Sequence, residues 1–269
     1  MKHQISIIGC GWLGFPLAKT LIDQGFVVKG STTSKQKLYP LRDAGIDAYY
    51  IQLDEDGITG NYTDFLKGSQ SVIINIPPGL RKNPDKNHVA EVHHLVNAIE
   101  TLNIKNIIYI SSTSVFEDEA HFPIINADSE PNATSNSGKQ LITIEHLLKK
   151  NTNFNTTIIR FGGLFDEQRH PGNYLAGRNN LSNPDAPVNL IHKQDCINII
   201  SIILKDNIWN TALNAAYPEH PTKKDYYTKY CQQHQLGIPI FDETKKSKGK
   251  IIESKKLEQL LNYSFKHGL

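Results

Sequence analysis

The amino-terminal stretch of the chain constrains its fold more than any other segment. An apolar run over residues 5–8 leads into Gly9, Gly11 and Gly14, and a helical pattern of apolar residues follows. This order predicts a strand, a tight turn and a helix. In such a turn Gly9 allows the sharp bend, Gly11 lets the backbone approach a pyrophosphate, and Gly14 lets the helix pack close to the strand. The helix N-terminus offers N–H groups to phosphate. The predicted dinucleotide contacts here are Gly9, Gly11, Trp12, Leu13 and Gly14.

Apolar, strand-like runs alternate with helical stretches through the first 162 residues. The predicted strands are 5–8, 26–29, 48–52, 72–76, 107–110 and 157–161, and helices are predicted after Gly11, Asn87 and Gly138. Several runs are almost continuous in Ile and Val, which is typical of parallel strands buried on both faces. We therefore expect an α/β fold with a Rossmann-type, doubly wound parallel sheet, and a nucleotide-binding domain over residues 1–162.

The pattern becomes irregular after residue 162. Glycine and proline interrupt it at 162–163, 170–172 and 183–184, before a helix predicted near 195–204. We expect residues 163–269 to form a smaller substrate or partner lobe that packs on the carboxyl edge of the sheet, where ligands of such sheets bind.

The segment after the second predicted strand bears on the choice of dinucleotide. An acidic residue about twenty positions after the first glycines would bind the ribose 2′-hydroxyl of NAD, but residues 29–35 contain no carboxylate. Hydroxyls and a lysine there suit a 2′-phosphate, which favours NADP while leaving NAD open. The residues concerned are Ser31, Thr32, Thr33 and Lys35. The alternative is a polar turn that makes no discriminating contact.

Composition limits the classes of partner. The 269 residues carry a net charge of +2, which gives no broad electrostatic reason to bind nucleic acid or a membrane surface. No run approaches the roughly 18 apolar residues of a membrane helix, and residues 1–3 lead into a strand rather than a signal peptide, so we expect a cytoplasmic protein. The three cysteines are too far apart for a zinc site or a disulfide framework. Cys10 is expected to be a small filler in the turn, although a thiol near a helix N-terminus can have a lowered pKa.

Several ordered motifs carry a family resemblance. The segment 109–116, Tyr-Ile-Ser-Ser-Thr-Ser-Val-Phe, resembles the Ser-Ser-x-x-Val-Tyr segment of the extended short-chain dehydrogenase/reductases, the NAD(P)-dependent epimerase/dehydratase group. Further matches are Ile76-Pro77-Pro78, Glu130-Pro131, the run 160–165 and the run 189–195. The resemblance spans most of the chain. It implies NAD(P) binding and adds Pro77, Pro78 and Ser111 to the expected cofactor contacts.

The same resemblance implies a catalytic arrangement that this chain matches only in part. Ser112 matches the residue that hydrogen-bonds the substrate oxygen, but the tyrosine position falls at Ser137 and the lysine position at Leu141. Glu145 fits a helical glutamate of the family and supports this register. We therefore predict that the Tyr-x-x-x-Lys pair is absent. A serine hydroxyl has no ionisation near neutral pH, so Ser137 cannot simply replace a tyrosine base.

Lys139 and Tyr109 are of the right residue types to replace the missing lysine and tyrosine. Lys139 should face away from Ser137 on the helix and remain solvated. Tyr109 should be a core aromatic, because it lies inside a predicted strand.

Polar residues of the second lobe are the remaining candidates for chemistry. His192 is the best candidate for an acid/base, since histidine titrates near neutral pH. The alternative is a structural histidine that caps the turn before the 195–204 helix. Arg169 and Arg178 would suit a phosphate, carboxylate or nucleotide-sugar, unless they are simply solvated. The expected substrate contacts are Arg169, His170 and Arg178. No metal site is assigned.

Two functional hypotheses follow. The first is an atypical NAD(P)-dependent oxidoreductase or epimerase with a degenerate active site, acting on a small, anionic or sugar-derived substrate. The second is a non-catalytic NADP-binding sensor or scaffold that regulates a protein partner. Neither involves nucleic acid or a membrane, and a homodimer is left open.

Overall fold

The computed structural model describes residues 3–269. Met1 and Lys2, which precede the first predicted strand, lie outside the described residues. The chain forms two compact units. Unit 1 contains the residues up to Ser111 together with 135–159 and 200–212, and unit 2 contains 112–134, 160–199 and 213–269. Each unit draws on three stretches of chain, and the sequence-based division at residue 162 remains a prediction.

An eight-stranded sheet forms the largest element. Its strands are β1 (Gln4–Ile8), β2 (Val27–Thr32), β3 (Asp47–Leu53), β4 (Ile58–Gly60), β5 (Ser71–Ile74), β6 (Asn106–Ser112), β8 (Asn155–Phe161) and β11 (Thr211–Ala215). Short strands β7 (Ile124–Ile125), β9 (Gly163–Phe165), β10 (Leu190–His192) and β12 (Ile251–Ile252) lie outside this sheet. The strand order is β11-β8-β6-β5-β1-β2-β3-β4. β1 pairs in parallel with β2 and β5, β2 with β3, and β5 with β6, whereas β4 is antiparallel to β3. The predicted α/β fold with a mostly parallel Rossmann-type sheet is confirmed.

The order of the strands identifies where a ligand site belongs. From β1 the chain proceeds outward to β2 and β3, then returns to place β5 on the other side of β1. This reversal is the topological switch point of a doubly wound sheet, and its crevice lies at the carboxyl ends of β1 and β5. The glycine turn begins at Gly9, directly after β1.

The helices agree with the sequence pattern where that pattern is long. The helices are α1 (Gly14–Asp23), α2 (Leu38–Asp43), α3 (Tyr62–Leu66), α4 (His88–Thr101), α5 (Asn136–Lys150), α6 (Pro171–Leu175), α7 (Lys193–Lys205), α8 (Lys223–Gln233) and α9 (Lys255–Leu261). α5 begins before Gly138 because the Ser135 hydroxyl caps it, accepting from the Gly138 N–H at 3.2 Å. The sequence pattern did not predict α2, α3 or β4, each too short to show a period.

Strand β2 differs from its prediction. The run 26–29 was expected, but β2 continues to Thr32, where Ser31 pairs with Tyr49 and Thr32 with Tyr50 of β3. Both polar residues are buried. The sheet thus extends through residues whose polarity alone suggests a turn, because hydrogen bonds to a neighbouring strand satisfy the backbone there.

Unit 2 has its own small core. Parallel strands β9 (Gly163–Phe165) and β10 (Leu190–His192) pair side by side, as do β7 (Ile124–Ile125) and β12 (Ile251–Ile252). The buried core cluster consists of Phe165, Val188, Leu190, Tyr227 and Phe241. Within the described range 3–269, no helix is both long and apolar enough to cross a membrane.

Candidate functional site

Two of the three glycines in the turn are required by packing within unit 1. Gly9 has a φ of +97°, and a Cβ added there would lie 2.4 Å from the Asn75 carbonyl oxygen. A Cβ on Gly14 would lie 2.2 Å from the Gly9 carbonyl oxygen. Backbone atoms cannot yield at these distances, so the turn itself excludes any side chain at either position.

Gly11 is different. A Cβ built at Gly11 meets no atom within 4 Å, and the residue is exposed. The protein's own packing therefore gives no reason for glycine at this position. In dinucleotide-binding turns, glycine at this position lets the backbone approach the pyrophosphate.

The N-terminus of α1 lacks an internal cap. Its N-cap residue is Leu13, which makes no side-chain cap hydrogen bond, and its first turn carries no acidic residue. Asn87, Ser135 and Thr222, by contrast, cap α4, α5 and α8 through side-chain oxygens. In the first turn of α1 the Phe15 N–H donates to the Gly11 carbonyl at 3.0 Å and Pro16 has no N–H, so the Gly14 N–H remains at the positive end of the helix dipole.

Two residues from neighbouring strands hold the turn in place. The Ser31 hydroxyl accepts from the Gly9 N–H at 3.0 Å, and the Ser31 carbonyl accepts from the Cys10 N–H at 2.8 Å. On the other side, the Asn75 side-chain amide donates to the Gly9 carbonyl at 3.0 Å. Sequence reasoning missed Asn75. Its signal was available, because a polar residue directly follows the fully buried apolar strand β5.

Cys10 behaves as the expected filler. Its sulfur occupies the space that a side chain on Gly30 would take, since a Cβ there would lie 2.6 Å from Cys10 Sγ. Burial raises the pKa of the Cys10 thiol to about 12. The low-pKa alternative is therefore wrong, because desolvation by burial outweighs the opposing effect of the hydrogen bond with Ser31.

The residues predicted to select NADP fall into two groups. Ser31 and Thr32 are buried, and their hydroxyls accept backbone N–H bonds from Gly9 and Ser34. Thr33 and Lys35 are exposed beyond the end of β2, and Lys35 Nζ lies 5.5 Å above the Tyr50 ring. Only Thr33 and Lys35 therefore have side chains that are accessible to a ligand.

The other expected cofactor contacts occupy mixed environments. Trp12 is half-buried and Leu13 is buried, so Leu13 can contribute only backbone atoms. Pro77 is exposed and Pro78 half-buried in the loop after β5. The buried Ser111 hydroxyl donates to Glu145 Oε1 at 2.7 Å, so Ser111 ties β6 to α5.

Ser112, Ser137 and Tyr109, the hydroxyl-bearing candidates for catalysis, lie in three different environments. Ser112 ends β6, and its Oγ accepts from the Ser114 N–H at 3.1 Å, which leaves the hydroxyl proton to donate. Ser137 is half-buried in the first turn of α5, with Leu141 buried one turn later and Lys139 exposed as predicted. Tyr109 is fully buried, as predicted, and burial raises its pKa.

His170 is built into the fold of unit 2. It is buried, its Nδ1 accepts from the Gly172 N–H at 3.1 Å, and its Nε2 lies 2.8 Å from the Tyr226 hydroxyl. Tyr230 stacks on the ring at 3.7 Å. Burial lowers the pKa of His170 to about 4. Both ring nitrogens are already used, so a substrate contact through His170 remains only a prediction.

The two arginines expected to contact substrate are exposed. The Arg169 backbone N–H donates to the buried Asp166 carboxylate at 2.7 Å, and the Arg178 carbonyl accepts from the Ile240 N–H at 2.9 Å. These contacts fix their backbones. Their expected contact with an anionic substrate stays a prediction.

His192 lies at the end of β10, and it is buried. Its Nδ1 accepts from the Gln194 N–H at 3.2 Å, which is the capping contact expected of a structural histidine before α7.

His192 forms a group with Asp195 and His267, and ligand atoms of the three lie within 4.8 Å of one another. However, the Asp195 carboxylate already accepts from the Tyr263 hydroxyl and from the N–H groups of Lys266 and His267. These donors hold the end of the chain onto α7. The group is thus explained by packing, and it does not support a metal site.

The sequence of most of the chain matches known proteins. Residues 9–193 match the family described as NAD(P)H-binding. The chain belongs to the NAD(P)H-binding family. Protein YeeZ of Escherichia coli (strain K12) is 30% identical over 268 residues, which cover 98% of this chain and 96% of YeeZ.

Solved structures share the fold of this NAD(P)H-binding protein at low sequence identity. A UDP-glucuronic acid 4-epimerase from Bacillus cereus, solved with NAD, has a TM-score of 0.79 at 17% identity, covering 98% of this chain and 92% of its own. A short-chain dehydrogenase/reductase superfamily protein from Agrobacterium tumefaciens, with bound NAD, has a TM-score of 0.76 at 15% identity, covering 99% and 93%. The resemblance to the epimerase/dehydratase group is confirmed at the level of fold.

Proposed function

We propose that this protein binds NADP(H) at the glycine turn and acts as an atypical oxidoreductase or epimerase on a small, anionic or sugar-derived substrate. The observation that carries the proposal is Gly11. Gly9 and Gly14 are required by the turn, whereas Gly11 faces open space and is accounted for by a dinucleotide phosphate. The Gly14 N–H at the N-terminus of α1 would complete the pyrophosphate site.

The preference for NADP rests on the end of β2. Thr33 and Lys35 are exposed there, next to the turn through Ser31, and residues 29–35 contain no carboxylate to accept a ribose 2′-hydroxyl. A cation and hydroxyls favour a 2′-phosphate through charge-assisted hydrogen bonds. The preference is testable because NADPH and NADH differ only in that phosphate.

In the proposed reaction the nicotinamide supplies the hydride acceptor or donor. The chain's residues would bind and orient the ligands. The glycine turn holds the pyrophosphate, and the Ser112 hydroxyl, whose oxygen already accepts from the Ser114 N–H, donates a hydrogen bond to a substrate oxygen. His192 is the candidate for further substrate contact. UDP-sugar enzymes among the structural neighbours support a sugar-derived substrate class.

A non-catalytic sensor is the second candidate, and a specific observation favours it. Ser137 and the buried Leu141 lie where the family resemblance implies tyrosine and lysine. If no tyrosine–lysine pair replaces them, the usual acid/base of the family would be missing. Under this alternative, bound NADP stabilises a surface for a protein partner and no hydride moves.

Cofactor binding is tested by fluorescence titration with NADPH and NADH, on wild type and on Gly11→Ala and Gly11→Val. We expect tighter binding of NADPH, a weaker affinity in Gly11→Ala, and loss of binding in Gly11→Val with an unchanged melting temperature. Because no protein atom lies near that Cβ, a loss of affinity without destabilisation identifies ligand space. Unchanged affinity in Gly11→Val would refute the site, and tighter NADH binding would refute the NADP preference.

Catalysis is tested across a panel of sugar nucleotides and small acids, by NADPH absorbance for an oxidoreductase and by product analysis for an epimerase, which returns its hydride. Turnover that is lost in Ser112→Ala and His192→Ala supports the enzyme. Absence of turnover, together with cofactor-dependent association with a protein partner, would instead establish the sensor.

A further inference from the structure

The hydrogen bonding of His192 indicates which of its two ring nitrogens carries the proton. Its Nδ1 accepts a hydrogen bond from the Gln194 backbone N–H at 3.2 Å. An acceptor nitrogen carries no proton, so the ring proton of this arrangement belongs to Nε2. His192 therefore presents a donor, Nε2–H, and not a lone pair.

That donor is buried and makes no hydrogen bond. The side chain is 8% exposed, and Nε2 lacks a hydrogen-bond partner among residues 3–269. Buried polar groups are rarely left without a partner in folded proteins, and those that are often belong to a functional site. Glu167 Oε1 lies 3.2 Å from Nε2, which is ion-pair distance, although the contact lacks the alignment of a full hydrogen bond.

Packing fixes the direction of the donor. The ring stacks on His267 with centroids 4.3 Å apart and meets the edge of Phe165 at 5.3 Å. His267 is held in turn by Asp195, which accepts from its backbone N–H at 3.1 Å. The imidazole is thus packed against two rings, so little conformational entropy is lost when a ligand binds it.

Glu167 combines a fixed backbone with an exposed side chain. Its neighbour Asp166 is buried and accepts from the Gln168 and Arg169 N–H groups, and it also pairs with Lys193. These bonds anchor the loop after β9. The Glu167 side chain is 83% exposed, so its carboxylate can leave His192 without disturbing the fold.

We propose that the Nε2–H of His192 binds a carboxylate oxygen of the ligand, and that Glu167 occupies this place when no ligand is bound. A carboxylate fits because the group already there is one, and a charged acceptor makes the stronger hydrogen bond to a buried N–H. A metal ion does not fit, since Nε2 offers a proton rather than a lone pair. This inference rests on the proposed function in that it names the chemistry of the substrate, a carboxylic acid such as a sugar acid.

The first test is the protonation pattern of His192 in the full-length protein. Long-range proton–nitrogen NMR of the ¹⁵N-labelled chain, with the His192 signals assigned from His192→Phe, should show Nε2 protonated and Nδ1 unprotonated at pH 8. His192→Phe keeps a ring against Phe165 and His267. A proton on Nδ1 instead would overturn the proposal.

The second test asks whether acetate or glucuronate displaces Glu167 from His192 Nε2. Phosphate and chloride at equal ionic strength are the controls. We expect both carboxylates to shift the Nε2–H signal, and their affinity to rise by at least about threefold in Glu167→Ala, because an internal competitor has been removed. Glu219→Ala, which removes an exposed carboxylate elsewhere in unit 2, should leave the affinity unchanged.

Two outcomes would overturn the inference: no carboxylate-dependent shift in either wild type or Glu167→Ala, or an equal response to phosphate. Since these experiments contain no dinucleotide, they are independent of the NADPH titrations. Failure of the cofactor site and failure of the carboxylate site are therefore distinguishable.

Discussion

The Ser31 hydroxyl accepts a hydrogen bond from the Gly9 N–H at 3.0 Å, across 22 residues of sequence. This bond joins the end of β2 to the glycine turn at the end of β1. It gives Ser31 a role in shaping the turn, and that role differs from the phosphate recognition proposed for Lys35.

Ser31→Ala should weaken NADPH and NADH binding by the same factor, about three- to tenfold, because it loosens a turn that both dinucleotides use. Fluorescence titration with the two cofactors measures the effect. Ser34→Ala is the matched control, since the structure gives its side chain no contact with the turn. A loss confined to NADPH would show that Ser31 contacts the 2′-phosphate instead.

Lys35→Ala should weaken NADPH binding by about five- to tenfold and leave NADH binding unchanged, because an exposed cation contributes only to the charged 2′-phosphate. The ratio of the two dissociation constants is the measurement. Lys19→Ala removes an exposed cation on α1 and should leave that ratio unaltered. An equal loss for both cofactors would contradict a role in discrimination.

His170 should make the stability of the protein fall in mild acid. Burial lowers its pKa from 6.5 to about 4, so the unfolded chain binds a proton between these values that the folded chain does not. Stability from this group is complete above pH 6.5 and is lost as the pH falls toward 4, by about 2 to 3 kcal/mol.

Urea unfolding at pH 7.5 and 4.5 measures this loss, and His170→Phe should show a smaller difference between the two pH values. His121→Ala removes an exposed histidine and should behave like wild type. If His170→Phe retains the full pH dependence, other groups account for it.

Asp195→Asn should destabilise the protein by about 3 kcal/mol, because a buried carboxylate that only accepts hydrogen bonds is replaced by an amide that also donates. Asp195 is fully buried beneath the Tyr263 hydroxyl and the Lys266 and His267 N–H groups. Urea unfolding gives the free energy, and hydrogen exchange should show lost protection over residues 263–269. Tyr263→Phe, which removes a single donor, should have a smaller effect. Unchanged exchange at the chain end would contradict the clamp.

The sequence by itself determined the elements whose physics is local. Apolar runs of strand length predicted the main strands, and the spacing of Gly9, Gly11 and Gly14 placed a turn and a helix after the first of them. These predictions were confirmed because backbone conformation and one buried face leave a periodic signal within a few residues. The family resemblance rested on motifs spread through residue 195, and the NAD(P)H-binding family matches residues 9–193.

The tertiary structure decided which side chains meet. Asn75 contacts Gly9 from 66 residues away, and Ser111 meets Glu145 from 34. No local period records such pairs. The burial of Ser31 and the contact of His170 Nε2 with the Tyr226 hydroxyl depend equally on remote packing. Chemistry depends on dielectric and hydrogen-bond partners, and both are set by residues that become neighbours only when the sheet and the second unit have formed.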